Sequence, residues 1–369
     1  MRVLQVCHRF YPEIGGIATH VRALSKWLKG HGIDVVVFTT DRTGKLDKCC
    51  EVDGIPVFRF RSFAPEEYYH FSLGILSSLL RAEGFDIVHA HGYQDFPVLA
   101  AALSRITNKT PLVVSTHLGY LKAAVLHSAY RRVGNVVFRL ADAVVCYSEQ
   151  EESALRHMGL NLGANVMNIP NGIDERLFEI CRSTRDGKIL YVGRLERYKG
   201  VHILLEALAL LRNENFELGI IGDGPYREEL RRLVVQLGLS DRVTFYGVVK
   251  GELIGFYANS EIFVLPSADT YLGLGLAVLD AMAASLAVII SPLQSNTLIH
   301  GRTGVVLSEF VSSEAVAEAI RQVLHDRNFA TYIGNNARDA VREYSFERVF
   351  PRFLRLYSHL RDSRLVRKK

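Results

Sequence analysis

Two cations five residues apart, Arg194 and Lys199, stand in the stretch KILYVGRLERYKG. There an apolar run of strand length, Lys188–Val192, ends at Gly193, and a helical pattern over Gly200–Leu211 begins. A strand–loop–helix unit leaves unpaired helix N–H groups at the carboxyl edge of a sheet, where anions bind. A diphosphate needs both charge neutralisation and several donors, so two cations beside such a terminus suit one. An ordinary βαβ turn with two solvated cations accounts for the same spacing, because short glycine motifs are weakly specific. The pattern is echoed at Leu218–Pro225, LGIIGDGP. His89 and His91 form H-x-H after a strand-like run, a spacing that suits a metal. The sequence offers no third ligand and no D-x-D, so no metal site is expected. His117 follows the run Leu112–Thr116 and reads, on position alone, as a strand-end histidine bonded to backbone.

The elements that must hold these groups alternate along the chain. Its 369 residues suggest two domains of about 150–200 residues each. With 49% apolar and 22% charged residues the chain is globular with a substantial core. Five cysteines, an odd number with no C-x-x-C pair, fit a reducing compartment and not a disulfide framework. The opening MRVLQVCHRF reads as a first strand and not a leader. The longest apolar tract, Leu272–Ile290, is broken by Asp280 and Ser285 and followed by Pro292, which reads as helix plus strand and not a membrane span. A cytoplasmic protein is therefore expected.

Strands are expected at Arg2–Cys7, Asp34–Thr40, Ile55–Phe60, Asp86–Ala90, Pro111–Thr116, Asp142–Cys146 and Asn165–Ile169. Helices are expected between them, at Ile17–Lys29, Ser72–Glu83, Phe96–Ile106, Tyr120–Leu140 and Ser148–His157. Short continuous apolar strands separated by helices imply a parallel sheet covered on both faces. The pattern weakens from Ile173 to Asp186, read as a linker, and restarts with strands near Ile189, Leu218, Val243, Ile262, Val288 and Val305. Helices close the chain at Ser313–His325, Asn328–Arg342 and from Ser345 to about Arg361.

Two stretches are basic. Phe96–Ala141 contains no Asp or Glu, and Arg352–Lys369 carries seven cations against Asp362. The expected helix Tyr120–Leu140 would lie against anionic lipid at the inner membrane face or receive an acidic acceptor. Packing on the sheet with solvated charges explains it as well. A net charge of +5 without a recognition motif argues against nucleic acid.

Several segments together carry a resemblance: YPEIGGIATHVRALSKWLKGHGIDVVVFT, DIVHAHG, PLVVSTH, ADAVVCYSEQEESAL, NIPNGID, LYVGRLERYKGVHILLEAL, IIGDGPYREEL and FYGVV. In order, spacing and flanking pattern the chain resembles the family-4 glycosyltransferases over nearly its whole length. The resemblance implies an α/β protein of the GT-B fold, two Rossmann-like doubly wound domains facing a central cleft. Residues 1–170, joined by the C-terminal helix 346–369, would bind the acceptor, and residues 171–345 the nucleotide-sugar donor. It implies a retaining transferase that needs no cofactor beyond its donor substrate and no metal.

The same resemblance assigns roles. Arg194 and Lys199 would grip the donor diphosphate, and His117 would stand near the reacting carbon of the sugar. Gly15 and Gly16 would form a loop that phosphate and sugar approach. Gly193, Gly275, Leu276 and Asp280 would complete the donor site. The departures fall in one place. Where the family has a Glu-x7-Glu signature this chain reads LGLGLAVLDAMA, with Leu272 for the first Glu and Asp280 for the second, and Thr297 replaces a further carboxylate. The first Glu contacts sugar hydroxyls and the second the ribose, so Leu272 would remove a partner worth about 1.5–3 kcal/mol. Asp269 is close enough in sequence to stand in. These departures leave open a catalytically weak homologue that holds nucleotide or serves as a partner subunit. A different nucleotide-dependent enzyme on paired Rossmann-like domains, such as an epimerase, is a third reading. A dehydrogenase is disfavoured, since no G-x-G-x-x-G follows the first strand.

Overall fold

A computed structural model describes residues 1–64, 69–118, 127–181, 187–249, 253–267, 274–292, 297–308 and 311–367, the side chains of 127–130, 365 and 367 aside. The chain divides into two units, Met1–Gly172 with the helix that begins at Phe346, and Ile173–Ser345.

The first unit runs β1 (Arg2–Val6), α1 (Gly16–Gly30), β2 (Asp34–Asp41), β3 (Cys49–Val52), β4 (Ile55–Arg61), α2 (Leu73–Leu80), β5 (Ile87–His91), α3 (Phe96–Asn108), β6 (Leu112–Ser115), α4 (His127–Leu140), β7 (Ala143–Cys146), α5 (Glu149–His157) and β8 (Val166–Asn168). Its eight strands lie in the order β3-β4-β2-β1-β5-β6-β7-β8. β5, β6 and β7 are buried at every position, as strands covered on both faces must be. The sheet is parallel except at one edge, which corrects the all-parallel expectation. There β3 pairs antiparallel with β4 through Asp53 and Gly54, both at positive φ, the backbone that a two-residue hairpin turn demands. Four alternately exposed residues, CCEV, gave too short an apolar signal to be read as a strand.

The second unit runs β9 (Lys188–Val192), α6 (Val201–Leu210), β10 (Glu217–Ile221), α7 (Arg227–Gln236), β11 (Val243–Gly247), α8 (Ile254–Ala258), β12 (Ile262–Leu265), α9 (Leu276–Ala283), β13 (Ala287–Ile290), β14 (Val305–Val306), α10 (Ser313–His325) and α11 (Arg327–Ala340). Its six strands, in the order β11-β10-β9-β12-β13-β14, pair in parallel throughout. The segment read as a linker is in part a core element of this unit. Ile173 and Leu177 are buried against Leu190, Phe263 and Ala281, and Asp174 caps a 3-10 turn over Glu175–Leu177. Two apolar residues four apart were enough to anchor it, too few to register as an apolar pattern.

The final helix, α12 (Phe346–Arg367), packs on α1 and β5. Trp27 Nε1 donates to Glu347 Oε1 at 2.9 Å, and Arg364 donates to the backbone oxygens of Phe85 and Asn108, so part of the basic tail is spent inside the unit. Within α4, Val137 and Phe138 are buried in the core while Arg131, Arg132 and Arg139 are exposed. The apolar face of this basic helix is thus already used by the fold. No helix among the described residues is long and apolar enough to cross a membrane.

Candidate functional site

In the first unit, neighbouring parallel strands bring their carboxyl ends together in the order β1, β5, β6, β7, the edge where α/β sheets bind ligands. A network of imidazoles and phenols collects there. His91 Nε2 lies 2.7 Å from Gln5 Oε1 and its Nδ1 lies 3.1 Å from His117 Nε2. With the Gln5 oxygen accepting, His91 carries its proton on Nε2, so its Nδ1 accepts and His117 Nε2 must donate. The Tyr147 hydroxyl is 2.8 Å from the same His117 nitrogen. His89, the other half of the H-x-H pair, turns to different partners: Tyr357 OH at 2.6 Å and Ser115 Oγ at 2.8 Å. His20, on the buried face of α1, stands edge-on to His117 and Tyr147 with ring centroids 5.3 Å away from each. Its Nε2 is buried without a hydrogen-bond partner among the described residues.

Burial disfavours the imidazolium form throughout. It pushes His20 down to about 3 and holds His89, His91 and His117 well below the ordinary histidine range. The neighbouring histidines add to the effect for the last three. All four are neutral at physiological pH.

The expectation of no third ligand needs correction. Nitrogens of His20, His91 and His117 lie within 4.8 Å of one another, so His91 of the H-x-H pair is joined by His20 from α1 and His117 from the segment after β6. Zinc–nitrogen bonds of about 2.0–2.1 Å would suit neutral imidazoles of this kind. Such an ion would take its place only by breaking the His91–His117 hydrogen bond and the Tyr147 contact, which satisfy the His91 and His117 nitrogens as they stand.

His117 itself has φ +45°, a left-handed backbone uncommon outside glycine. Gly15 caps α1 with an extended φ of −179° and Gly16 opens the helix. A Cβ on either would meet no described atom within 4 Å, so neither conformation nor packing calls for glycine there.

In the second unit, Gly193, Arg194 and Lys199 lie on the loop between β9 and α6, held by backbone on backbone. Gly193 N donates to Ile221 O, Leu195 N to Asp223 O and Tyr226 N to Leu195 O, at 2.9–3.0 Å. Gly222, at φ +135°, would drive a Cβ to 1.9 Å from Gly193 O, and Gly200, at φ +73°, to 1.8 Å from Pro266 O. The helix begins one residue later than the sequence pattern suggested. A 3-10 turn over Arg197–Lys199 precedes it, so Lys199 stands before α6 and not on it, with its Nζ 5.1 Å from the Tyr198 ring centre. Gly200 caps α6 with no side-chain bond to its first-turn N–H groups. The Arg194 side chain is 56% exposed, and its Nη2 is 2.7 Å from Oε1 of the buried Glu196. Sequence reading missed Glu196, whose only signal was its place between the two cations.

Gly275 caps α9, Leu276 is its first residue, and Asp280 lies on its half-buried face. Burial, with the charge of Asp174 behind it, pushes the Asp280 carboxyl up to about 7. Asp174 was also missed, although it stands in the NGID segment; its own carboxylate is paired with Arg176 at 2.6 Å. Thr297 Oγ1 lies 3.1 Å from Tyr344 OH, a contact within the fold. Leu272 and Asp269 lie outside the described residues.

Comparison with known proteins places this arrangement. The family model for Glycosyltransferase Family 4 matches residues 14–177 and that for Glycosyl transferases group 1 matches residues 174–340. A GDP-mannose:cellobiosyl-diphosphopolyprenol α-mannosyltransferase of Komagataeibacter xylinus is 27% identical over 378 residues, covering 98% of this chain and 93% of the relative. A GDP-mannose-dependent α-(1-6)-phosphatidylinositol monomannoside mannosyltransferase of Mycobacterium tuberculosis is 30% identical over 267 residues, 66% of this chain and 68% of the relative. Among solved structures, sucrose-phosphate synthase from Thermosynechococcus elongatus superposes with a TM-score of 0.80 at 22% identity, over 98% of this chain and 100% of that one. Anabaena HepE in complex with UDP-glucose does so at 0.80 and 20%, over 97% and 100%. The fold of those structures, the two family models and these relatives agree: the chain belongs to the family-4 glycosyltransferases of the GT-B fold.

Proposed function

We propose that this glycosyltransferase takes a hexosyl group from a nucleoside-diphosphate sugar, with GDP-mannose the first candidate, and passes it with retention of configuration to a lipid-linked acceptor. The observation that carries the reading is the Gly193–Gly200 loop. Arg194 and Lys199 sit on a backbone pinned by glycine contacts, beside a helix start whose N–H groups have no side-chain cap among the described residues. When the bond between the sugar's C1 and the diphosphate breaks, its electron pair goes to the phosphate oxygen. Fixed cations and N–H donors stabilise that charge where it develops. The acceptor oxygen bonds to C1 and passes its proton to the departing phosphate oxygen. Asp280, half-buried on α9, would accept from the ribose hydroxyls of the nucleoside.

GDP-mannose is favoured because both mannosyltransferase relatives named above are described as using it. A lipid-linked acceptor is favoured because their named acceptors are a diphosphopolyprenol and a phosphatidylinositol mannoside. The outward cations of α4 offer an anionic surface its charge complement; its apolar face does not take part. Residues 1–172 with α12 would serve the acceptor and residues 173–345 the donor.

The test is a binding and turnover screen of the purified chain against nucleotide-sugars, repeated with Leu272→Glu. Release of GDP from GDP-mannose, raised by a polyprenyl-diphosphate glycan, is the expected result. Binding without turnover, with turnover gained in Leu272→Glu, would instead make the chain a nucleotide holder. Absence of any nucleotide-sugar binding would overturn the proposal.

A further inference from the structure

His117 keeps a left-handed backbone at the end of β6, and one side chain from another element touches both of its neighbours. Glu151, 3% exposed in the first turn of α5, accepts at Oε1 from Thr116 Oγ1 at 2.8 Å and from the Leu118 N–H at 2.7 Å. Its Oε2 accepts from the Tyr147 N–H at 2.6 Å. The residues before and after His117 are therefore bonded to the same oxygen. The residue whose phenol reaches His117 Nε2 is bonded to the other.

The sequence explains why Glu151 stands there. Ser148 is the N-cap of α5 and takes the Glu151 N–H at 3.0 Å, an S-x-x-E pattern in which the glutamate normally folds back on the start of its own helix. Here one oxygen does so, at Tyr147, while the other leaves the helix and bridges to the end of β6. Three donors on one buried carboxylate are more than a cap requires. A non-glycine residue at positive φ persists only where its surroundings fix it, and this carboxylate supplies that fixing on both sides.

We propose that Glu151 is a positioning residue for His117, holding with one carboxylate both the strained backbone of that histidine and the tyrosine that partners its imidazole. It touches neither donor nor acceptor. The inference rests on the reading of His117 as a residue of the sugar-transfer site, and its test separates the two.

Glu151→Gln fits the same space but keeps a single acceptor oxygen. It can serve Thr116 and Leu118, or Tyr147, but not both, and its amide N–H2 would face a donor. In the full-length protein the 15N-resolved imidazole signals of His117, identified by their loss in His117→Gln, should move in Glu151→Gln as they do in Tyr147→Phe. The kcat for GDP-mannose should fall about tenfold or more, the scale on which misplacement without lost contact acts. The Kd for GDP should stay within about twofold. A folded Glu151→Gln protein with unmoved His117 signals overturns the proposal, as does an equal loss in kcat and GDP affinity. Should Glu151→Gln fail to fold, Thr116→Val removes one of the three bonds and the same signals decide: movement supports the clamp and stillness overturns it. If wild-type protein transfers no sugar, the site reading of His117 fails, yet the imidazole signals still report whether Glu151 positions it.

Discussion

The two units fix their chemistry by opposite means. In the first, the candidate site atoms are inside. His89, His91 and His117 are joined to Gln5, Ser115, Tyr147 and Tyr357 by side-chain hydrogen bonds, and burial keeps them neutral. In the second, the fixed part is the backbone. Carbonyl and N–H groups of Gly193, Leu195, Gly222 and Gly224 pack on one another, and Arg194 reaches out with more than half its side chain exposed. The difference follows from the ligand each would face. A diphosphate brings its own charge and would be met by Arg194, paired to Glu196, and Lys199 over a loop fixed by its backbone. A neutral sugar carbon gives no such purchase, so the groups near it must be held by the protein.

The largest effect should come from breaking the charge side of this contrast. Arg194→Ala and Lys199→Ala should each weaken GDP binding about 10- to 150-fold, the equivalent of a lost charged hydrogen bond of about 1.5–3 kcal/mol. His117→Ala should leave that affinity nearly unchanged while stopping turnover. Calorimetric titration of GDP into the three variants checks both halves. Equal losses in all three would mean that the division of labour between the units is false.

How far the sequence shows this contrast differs between its two sides. The loop of the second unit was legible because glycine and cation identity are themselves the signal: Gly193, Arg194, Lys199 and Gly200 lie within eight residues. The network of the first unit was not, because its members are far apart along the chain. His20, His91, His117 and Tyr147 come from four elements, and nothing local marks them as neighbours until the strand order β1-β5-β6-β7 is known. The alternation of strand and helix was strong enough to read the parallel sheets from short buried runs such as IVHAH and AVII. The antiparallel β3 escaped because an edge strand of four residues buries too little to leave a pattern. Ile173–Asp186 reads as a linker because, of its described residues, only Ile173 and Leu177 are buried.

An intermediate effect should appear in the pH dependence of stability, with opposite signs in the two units. A buried histidine whose pKa falls on folding contributes stability that is present above its unfolded value, about 6.5, and lost as pH drops toward the folded one. For His20 that window runs down to about 3. Asp280 behaves in reverse. A carboxyl raised to about 7 stabilises the fold fully below about pH 4 and loses that contribution as pH rises to about 7. His20→Phe should therefore shift acid unfolding to lower pH. Asp280→Asn should raise the melting temperature at pH 8 and do less at pH 5. Thermal scans across pH 4–8 check both, and parallel shifts for the two variants would contradict the assigned signs.

The smallest effect on stability, and the sharpest on the comparison, belongs to Gly16. In the second unit Gly200 and Gly222 are required by the fold itself, through positive φ and carbonyls that leave no room for a Cβ. Gly16 has neither constraint: its φ is not left-handed, and a Cβ would find no described atom within 4 Å. Gly16→Ala should accordingly leave the protein as stable as before or up to about 1 kcal/mol more so, since alanine restricts the unfolded chain. Its turnover should nonetheless fall, because the space that a methyl group enters would be space the ligand uses. Melting temperature and initial rate, measured on the same preparation, separate the cases. A drop in melting temperature would show that the glycine serves α1 after all. An unchanged rate would move the ligand away from this loop.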